Sequence, residues 1–192
     1  MVVTSRKNVA AVHYRSLVRE RAYRREHGEF PIEGARLCEE AVKSGLEITS
    51  FLVTQSAAEK YAEAFGKIAK TAAPLFISDD VAAYISDTKS PQGMFLTAKT
   101  LDKPILSGKI EEGGHFLLLD GLQDSGNIGT IIRTADAFGL DGIILSPDCA
   151  DIYSPKIVRS AMGSLFRLPL IETELPEFIS RLKKAGYAVY AA

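Results

Sequence analysis

The stretch 117–139, LLLDGLQDSGNIGTIIRTADAFG, changes character twice within 23 residues. It opens on Leu117, Leu118 and Leu119, a short apolar run bounded by turn residues, as expected of a buried strand. It then passes through Asp120, Gly121, Asp124, Gly126 and Asn127, and closes on a helical pattern. At 100° per residue, Ile128, Ile131, Ile132, Ala135 and Phe138 share one face, which is therefore the expected buried face. Arg133 falls on roughly the opposite face, beside Gly129, Thr130 and Ala137. Asn127 is a favoured helix cap, and the glycines at 121, 126 and 129 allow close backbone approach. A strand, turn and helix in this order place the turn at the carboxyl end of the strand, where open parallel sheets bind ligands. From spacing alone, an ordinary capped helix with a solvated arginine explains the pattern equally well.

The rest of the chain predicts an α/β fold in two parts. Residues 1–100 read as a basic helix, a strand at GEFPIEG, a helix closed by Gly45, a strand at ITSFLVT, a helix over AAEKYAEAFGKIAK, and further strands at APLFIS and GMFLTAK. Residues 101–114, LDKPILSGKIEEGG, break this rhythm with Pro, Ser and Gly, as a linker would. Residues 115–192 then alternate strand and helix, ending on a strand at YAVYAA. Strands separated by single helices imply parallel pairing with right-handed crossovers.

With 46% hydrophobic and 24% charged residues among 192, the composition suits a globular chain and excludes the disordered and collagen-like classes. No apolar run approaches the roughly 18 residues needed to span a bilayer, and the N-terminus lacks a signal-peptide core, so a cytoplasmic protein without a membrane partner is expected. Cys38 and Cys149 are isolated, which predicts neither a disulfide framework nor a metal site.

The formal net charge is −1, but the first 28 residues hold seven cations against two carboxylates. Arg15, Arg19, Arg24 and Arg25 in this segment are candidate RNA phosphate contacts, which position a nucleic acid without reading its sequence. The competing reading is a solvated helix face, with Val9, Val12, Leu17 and Val18 as its apolar stripe.

The segment from Asp124 to Ile171 resembles the first two motifs of the SpoU/TrmH family of RNA ribose 2′-O-methyltransferases, in the trefoil-knotted SPOUT superfamily. Asn127-x-Gly129-x-x-x-Arg133 matches the first motif. Arg159 to Gly163, followed by Phe166, Arg167, Leu168 and Pro169, matches the second. Residues 24–42 are similar to the small ribosomal-protein-like α/β/α substrate-binding domain of many members. The resemblance implies methyl transfer from S-adenosylmethionine to a ribose 2′-hydroxyl of rRNA or tRNA, by a homodimer and without a metal. It carries Asn127 and Arg133 over as catalytic residues, and the strand end Tyr190, Ala191 and Ala192 as the lip of the cofactor pocket. A guanidinium is a poor proton acceptor, so Arg133 is expected to grip the phosphate beside the target ribose, with Asn127 helping to hold it.

The family's third motif, a Gly-Glu-Gly loop followed by an Ile-Pro strand and a Ser-Leu-Asn helix start, has no counterpart after YAVYAA. The expectation is therefore a SPOUT domain incomplete at its C-terminal side, with weak cofactor binding by this stretch alone. Two other readings stand beside the methyltransferase: a non-catalytic RNA-binding module, and a dinucleotide-binding oxidoreductase with Asp148 as its acidic residue. The glycine order G-x-x-x-x-G-x-x-G departs from the G-x-G-x-x-G of the latter. Ser154 and Pro155 read as a helix start with a capping hydroxyl, and Gly163 as a left-handed helix end, so Ser160 and Gly163 have a structural explanation as good as a functional one.

Overall fold

The computed structural model describes residues 2–101 and 113–191. Most of the linker expected at 101–114 lies outside the described residues. The chain forms two compact units: one takes in the described residues through Leu101 together with Tyr153–Arg159, and the other takes in the remainder.

The first unit begins with α1 (Val9–Arg19) and α2 (Arg21–His27), followed by β1 (Glu29–Glu33), α3 (Ala35–Lys43), β2 (Ile48–Val53), α4 (Gln55–Lys60), α5 (Ala62–Ile68), β3 (Pro74–Phe76), α6 (Asp79–Ile85) and β4 (Met94–Lys99). Its sheet has the order β1-β4-β2-β3, and β4 runs antiparallel to both β1 and β2. This unit is therefore a mixed sheet, with only β2 and β3 paired in parallel among its described strands. The last strand enters between two earlier ones, and its fully apolar Met94, Phe95 and Leu96 are buried in that central position. The core gathers Tyr14, Leu52, Ile77, Val81, Ile85 and Phe95, with the Tyr14 hydroxyl donating to Ile32 O at 3.1 Å.

Two helices expected as single elements are each broken. The basic helix stops at Glu20, whose extended backbone separates α1 from α2. Arg24 folds back so that its guanidinium donates to Leu17 O and Val18 O, covering carbonyls at the end of α1 that would otherwise lack donors. The second break is at Tyr61, between α4 and α5.

The second unit holds β5 (Phe116–Leu119), α7 (Ser125–Ala137), β6 (Gly142–Leu145), a 3-10 turn (Ser164–Phe166), β7 (Leu170–Glu172) and α9 (Leu175–Lys184); α8 (Pro155–Ser160) leads into it. The strands form a parallel sheet, β5-β6-β7, as single-helix crossovers require. Leu175, Phe178 and Leu182 of α9 pack on Ile144, Phe116 and Leu118, while the alternate residues Ile143 and Leu145 are equally buried. Burial on both faces is why these strands read as unbroken apolar runs.

The strand expected at YAVYAA is absent among residues 187–191. Gly186 takes a left-handed conformation (φ 88°) and Tyr187 N donates back to Leu182 O at 3.0 Å, closing α9 with a turn. Tyr187 rests against Phe116 and accepts a hydrogen bond from Gly114 N at 2.8 Å, but Ala188–Ala191 are exposed and join no ladder.

A buried carboxylate in the first unit sets a pH dependence. Burial raises the pKa of Glu29, but Lys99 Nζ at 2.9 Å and His13 Nε2 at 2.7 Å outweigh it and hold the group below the usual carboxylate range. A depressed folded-state pKa stabilises the fold above the unfolded-state value, and that stability is lost as pH falls through the folded-state value. Urea unfolding at a series of pH values should therefore show stability declining as glutamates begin to protonate. Glu29→Gln should be less stable at neutral pH and flatter on acidification; an unchanged acid slope would remove Glu29 as its source.

Candidate functional site

The turn after β5 is fixed by the loop after β6. Ser146 N donates to Leu119 O at 2.9 Å, Gly121 N to Ser146 Oγ at 2.8 Å, and Ala150 N to Leu122 O at 2.9 Å. The buried Cys149 thiol donates to Leu119 O at 3.4 Å, and the Gln123 amide donates to Asp148 O. Both turns therefore form one rigid platform at the carboxyl ends of the strands.

Helix α7 starts two residues earlier than Asn127. Its cap is Asp124, whose carboxylate accepts from Asn127 N at 2.7 Å. Both residue types cap well, but the carboxylate also meets the positive end of the helix dipole. This overturns two expectations: Asn127 lies in the first turn with an exposed side chain, and the helix amino end already holds an anion. Ile128, Ile132 and Ala135 are buried as expected, and Ile131 half-buried. Phe138, the C-cap, keeps helical backbone and donates to Thr134 O at 2.9 Å, yet its side chain is 80% exposed.

Gly129 does not leave space for a ligand. It packs against Ser160, so close that an added Cβ would lie 1.8 Å from Ser160 Oγ and 3.0 Å from its carbonyl carbon. Ser160 Oγ donates to Ser125 O at 3.3 Å, tying the second motif to the first turn of α7. After it, Met162 and Gly163 both adopt left-handed backbone, at φ 52° and 90°. Ser154 does not cap α8 through its side chain: its buried hydroxyl has no hydrogen-bond partner, and only its carbonyl accepts, from Val158 N. The dinucleotide reading loses its physical basis here, since the glycine that would approach a pyrophosphate approaches a serine instead.

Arg133 is exposed, and among the described residues no hydrogen bond or ion pair engages its guanidinium. Asn127 and Arg133 thus project from one rigid helix, but no hydrogen bond joins them. Tyr190 is 90% exposed and Ala191 is exposed; Ala192 lies outside the described residues. Among the described residues no group of three or more His, Cys, Asp or Glu is placed to hold a metal, and no helix is long and apolar enough to cross a membrane.

The four arginines of the N-terminal segment separate into two pairs. Arg24 is 5% exposed and spent on α1 carbonyls. Arg15 stacks 3.6 Å from the Tyr84 ring centroid and donates to Tyr84 O. Arg19 and Arg25 are exposed.

Residues 114–192 match the SpoU rRNA Methylase family, and residues 11–96 match the MRM3-like substrate binding domain. An uncharacterised tRNA/rRNA methyltransferase of Synechocystis is 31% identical over 191 residues, spanning 98% of this chain and 69% of that one. The chain belongs to the SpoU rRNA methylase family. A 23S rRNA guanosine 2′-O-methyltransferase of Bacillus subtilis is 34% identical over 162 residues, 84% of this SpoU chain and 61% of that protein. The AdoMet-bound rRNA methyltransferase of Sinorhizobium meliloti superposes with a TM-score of 0.78 at 30% identity, covering 96% of this chain and 69% of that one. The SpoU chain described here thus spans about three-fifths of the Bacillus relative, and 36% of a mitochondrial rRNA methyltransferase 3A of zebrafish.

Sequence reasoning placed Arg167 in the second motif but missed its partner Asp136; the two pair at 2.7 Å beside the far end of α7. The available signal was an aspartate in the last helical turn, where the dipole disfavours it. Gly129→Ala should lose about 3 kcal/mol or more through overpacking, and lower the midpoint in differential scanning calorimetry by roughly 6–12 °C. A loss under about 0.5 kcal/mol, the range of an ordinary surface change, would contradict the contact.

Proposed function

We propose that this chain serves the methylation of ribose 2′-hydroxyls in rRNA or tRNA, with S-adenosylmethionine as cofactor and Arg133 as the group that positions the substrate. The observation that carries the reading is Arg133 itself: an exposed cation with no partner among the described residues, on a helix packed against Ser160. The activity of the relatives and the matched family support it. When bound, S-adenosylmethionine supplies an electrophilic methyl group. Tyr190 and Ala191 at the end of the chain are exposed, and the cofactor assignment rests on the family.

What the chain's own groups supply is placement. The Arg133 guanidinium offers a planar fork of donors that matches a phosphate bidentately, fixing the neighbouring ribose. Asn127, about one and two-thirds turns earlier, is exposed and offers amide donors and an acceptor to the same strand. Because α7 is locked against Ser160 through Gly129, both groups are positioned before substrate arrives. The dimer implied by the family belongs to the same proposal, with exposed Phe138 and Met162 as the apolar surface a second copy would cover. So does a cytoplasmic location.

Arg133→Ala should lower methyl transfer by at least about 100-fold with the fold intact, as expected for a lost positioning contact. Methyl incorporation into RNA beside a circular dichroism melt checks this; turnover near wild type would sink the assignment.

The RNA-contacting arm is revised to Arg19 and Arg25. Replacing both with Ala should weaken RNA binding and reduce its log–log salt slope by roughly 0.7 to 0.9 per contact. Fluorescence anisotropy titrations across salt concentrations measure that slope. Arg24→Ala should instead act through stability, since its guanidinium is inside.

A further inference from the structure

Resting on that functional reading, we propose that Arg167 is a positioning residue: by occupying Asp136, it keeps Arg133 available for substrate.

Arg133 and Asp136 are three residues apart on α7, a spacing at which a cation and a carboxylate lie on adjacent turns of one helix face and attract each other. Left to itself, Asp136 would draw Arg133 down along the helix. In the structure it does not, because Asp136 Oδ2 is taken by Arg167 Nη2 at 2.7 Å. Arg167 arrives from outside the helix, just after the 3-10 turn. It is held there by the buried Phe166 and Leu168 on either side, by its own backbone N–H donating to Ser164 O at 3.1 Å, and by a 3.4 Å contact of its guanidinium with Ser164 Oγ. Both backbones are fixed, but the Arg167 guanidinium is also held by Ser164 Oγ and so has less side-chain freedom left to lose on pairing than the solvent-exposed side chain of Arg133, which lets Arg167 win the competition.

Asp136 serves the helix poorly in any other way. It sits in the last turn, where the carbonyl end of the dipole repels a negative charge, and it is only 23% exposed. Its pairing with Arg167 neutralises it there. Without Arg167 two things follow, both adverse to RNA: Arg133 gains a competing partner, and an uncompensated carboxylate faces the region where the phosphate is to sit.

The test compares Asp136→Asn, Arg167→Ala, Arg167→Lys and the Asp136→Asn/Arg167→Ala double variant. One readout needs no activity: the rate at which phenylglyoxal modifies Arg133, followed by peptide mass spectrometry. The other is kcat/KM for methyl transfer to RNA. Arg167→Ala should slow Arg133 modification and lower kcat/KM by roughly 3- to 10-fold, the scale of a surface pair plus like-charge repulsion. Asp136→Asn should stay within about 2-fold of wild type, Arg167→Lys should retain function, and the double variant should recover both readouts. If Arg167 and Asp136 only brace the fold, each single variant falls and the double falls at least as far, which overturns the inference. So does an unchanged modification rate in Arg167→Ala. A protein that methylates no RNA while Arg133 modification follows the expected order supports the positioning role and defeats the functional reading alone.

Discussion

The contact between Gly129 and Ser160 sets the geometry on which the second unit depends. Hydrogen is the only side chain that fits at 129, and with it α7 comes close enough for Ser160 to reach the carbonyl of Ser125. That closeness fixes the tilt of α7 against the segment that follows β6, and through it the direction in which Asn127 and Arg133 point. The glycine of the first motif and the serine of the second are therefore two halves of one steric fit. A pattern that looks like two separate signatures in sequence is one packing event in space.

The same economy governs the arginines. Each of Arg15, Arg24 and Arg167 is committed to a protein partner: a ring face and a carbonyl, two helix carbonyls, and a carboxylate. Arg133 alone of the motif cations stands unengaged at the platform. An arginine whose neighbours are already satisfied by other groups is poised for an external anion, whereas one beside an unsatisfied carbonyl closes on it.

The sequence made some of this legible and hid the rest for identifiable reasons. The apolar positions of α7 and the parallel β5-β6-β7 sheet followed from periodicity, because burial on one stripe or on both faces leaves a mark every few residues. Phe138 keeps its place on the helical wheel but is exposed, because periodicity does not say whether a neighbouring element covers the last turn. Asp124 and Asn127 are equivalent caps by propensity, so composition does not choose between them and only the helix dipole favours the carboxylate. The antiparallel insertion of β4 is a long-range choice that no local pattern encodes. Arg24 looked like a solvent cation because the break at Glu20, which creates the carbonyls it covers, leaves no Gly or Pro in the sequence. The pairing of Asp136 with Arg167 spans 31 positions and lies beyond any window of helical spacing.

The burial of Arg24 also bears on how the N-terminal segment is felt at a distance. Formal charge counts Arg6, Arg15, Arg24 and their neighbours alike, yet Arg6 is paired with Asp80 and Arg24 is wrapped in protein. The potential that reaches beyond a Debye length comes mainly from the cations left in water. An approaching polyanion is therefore steered by a narrower source than the sequence advertises, centred where α1 hands over to α2. Encounter is correspondingly more selective in direction and less enhanced in rate than seven cations would suggest, so the segment acts as an aiming point more than as a broad electrostatic funnel.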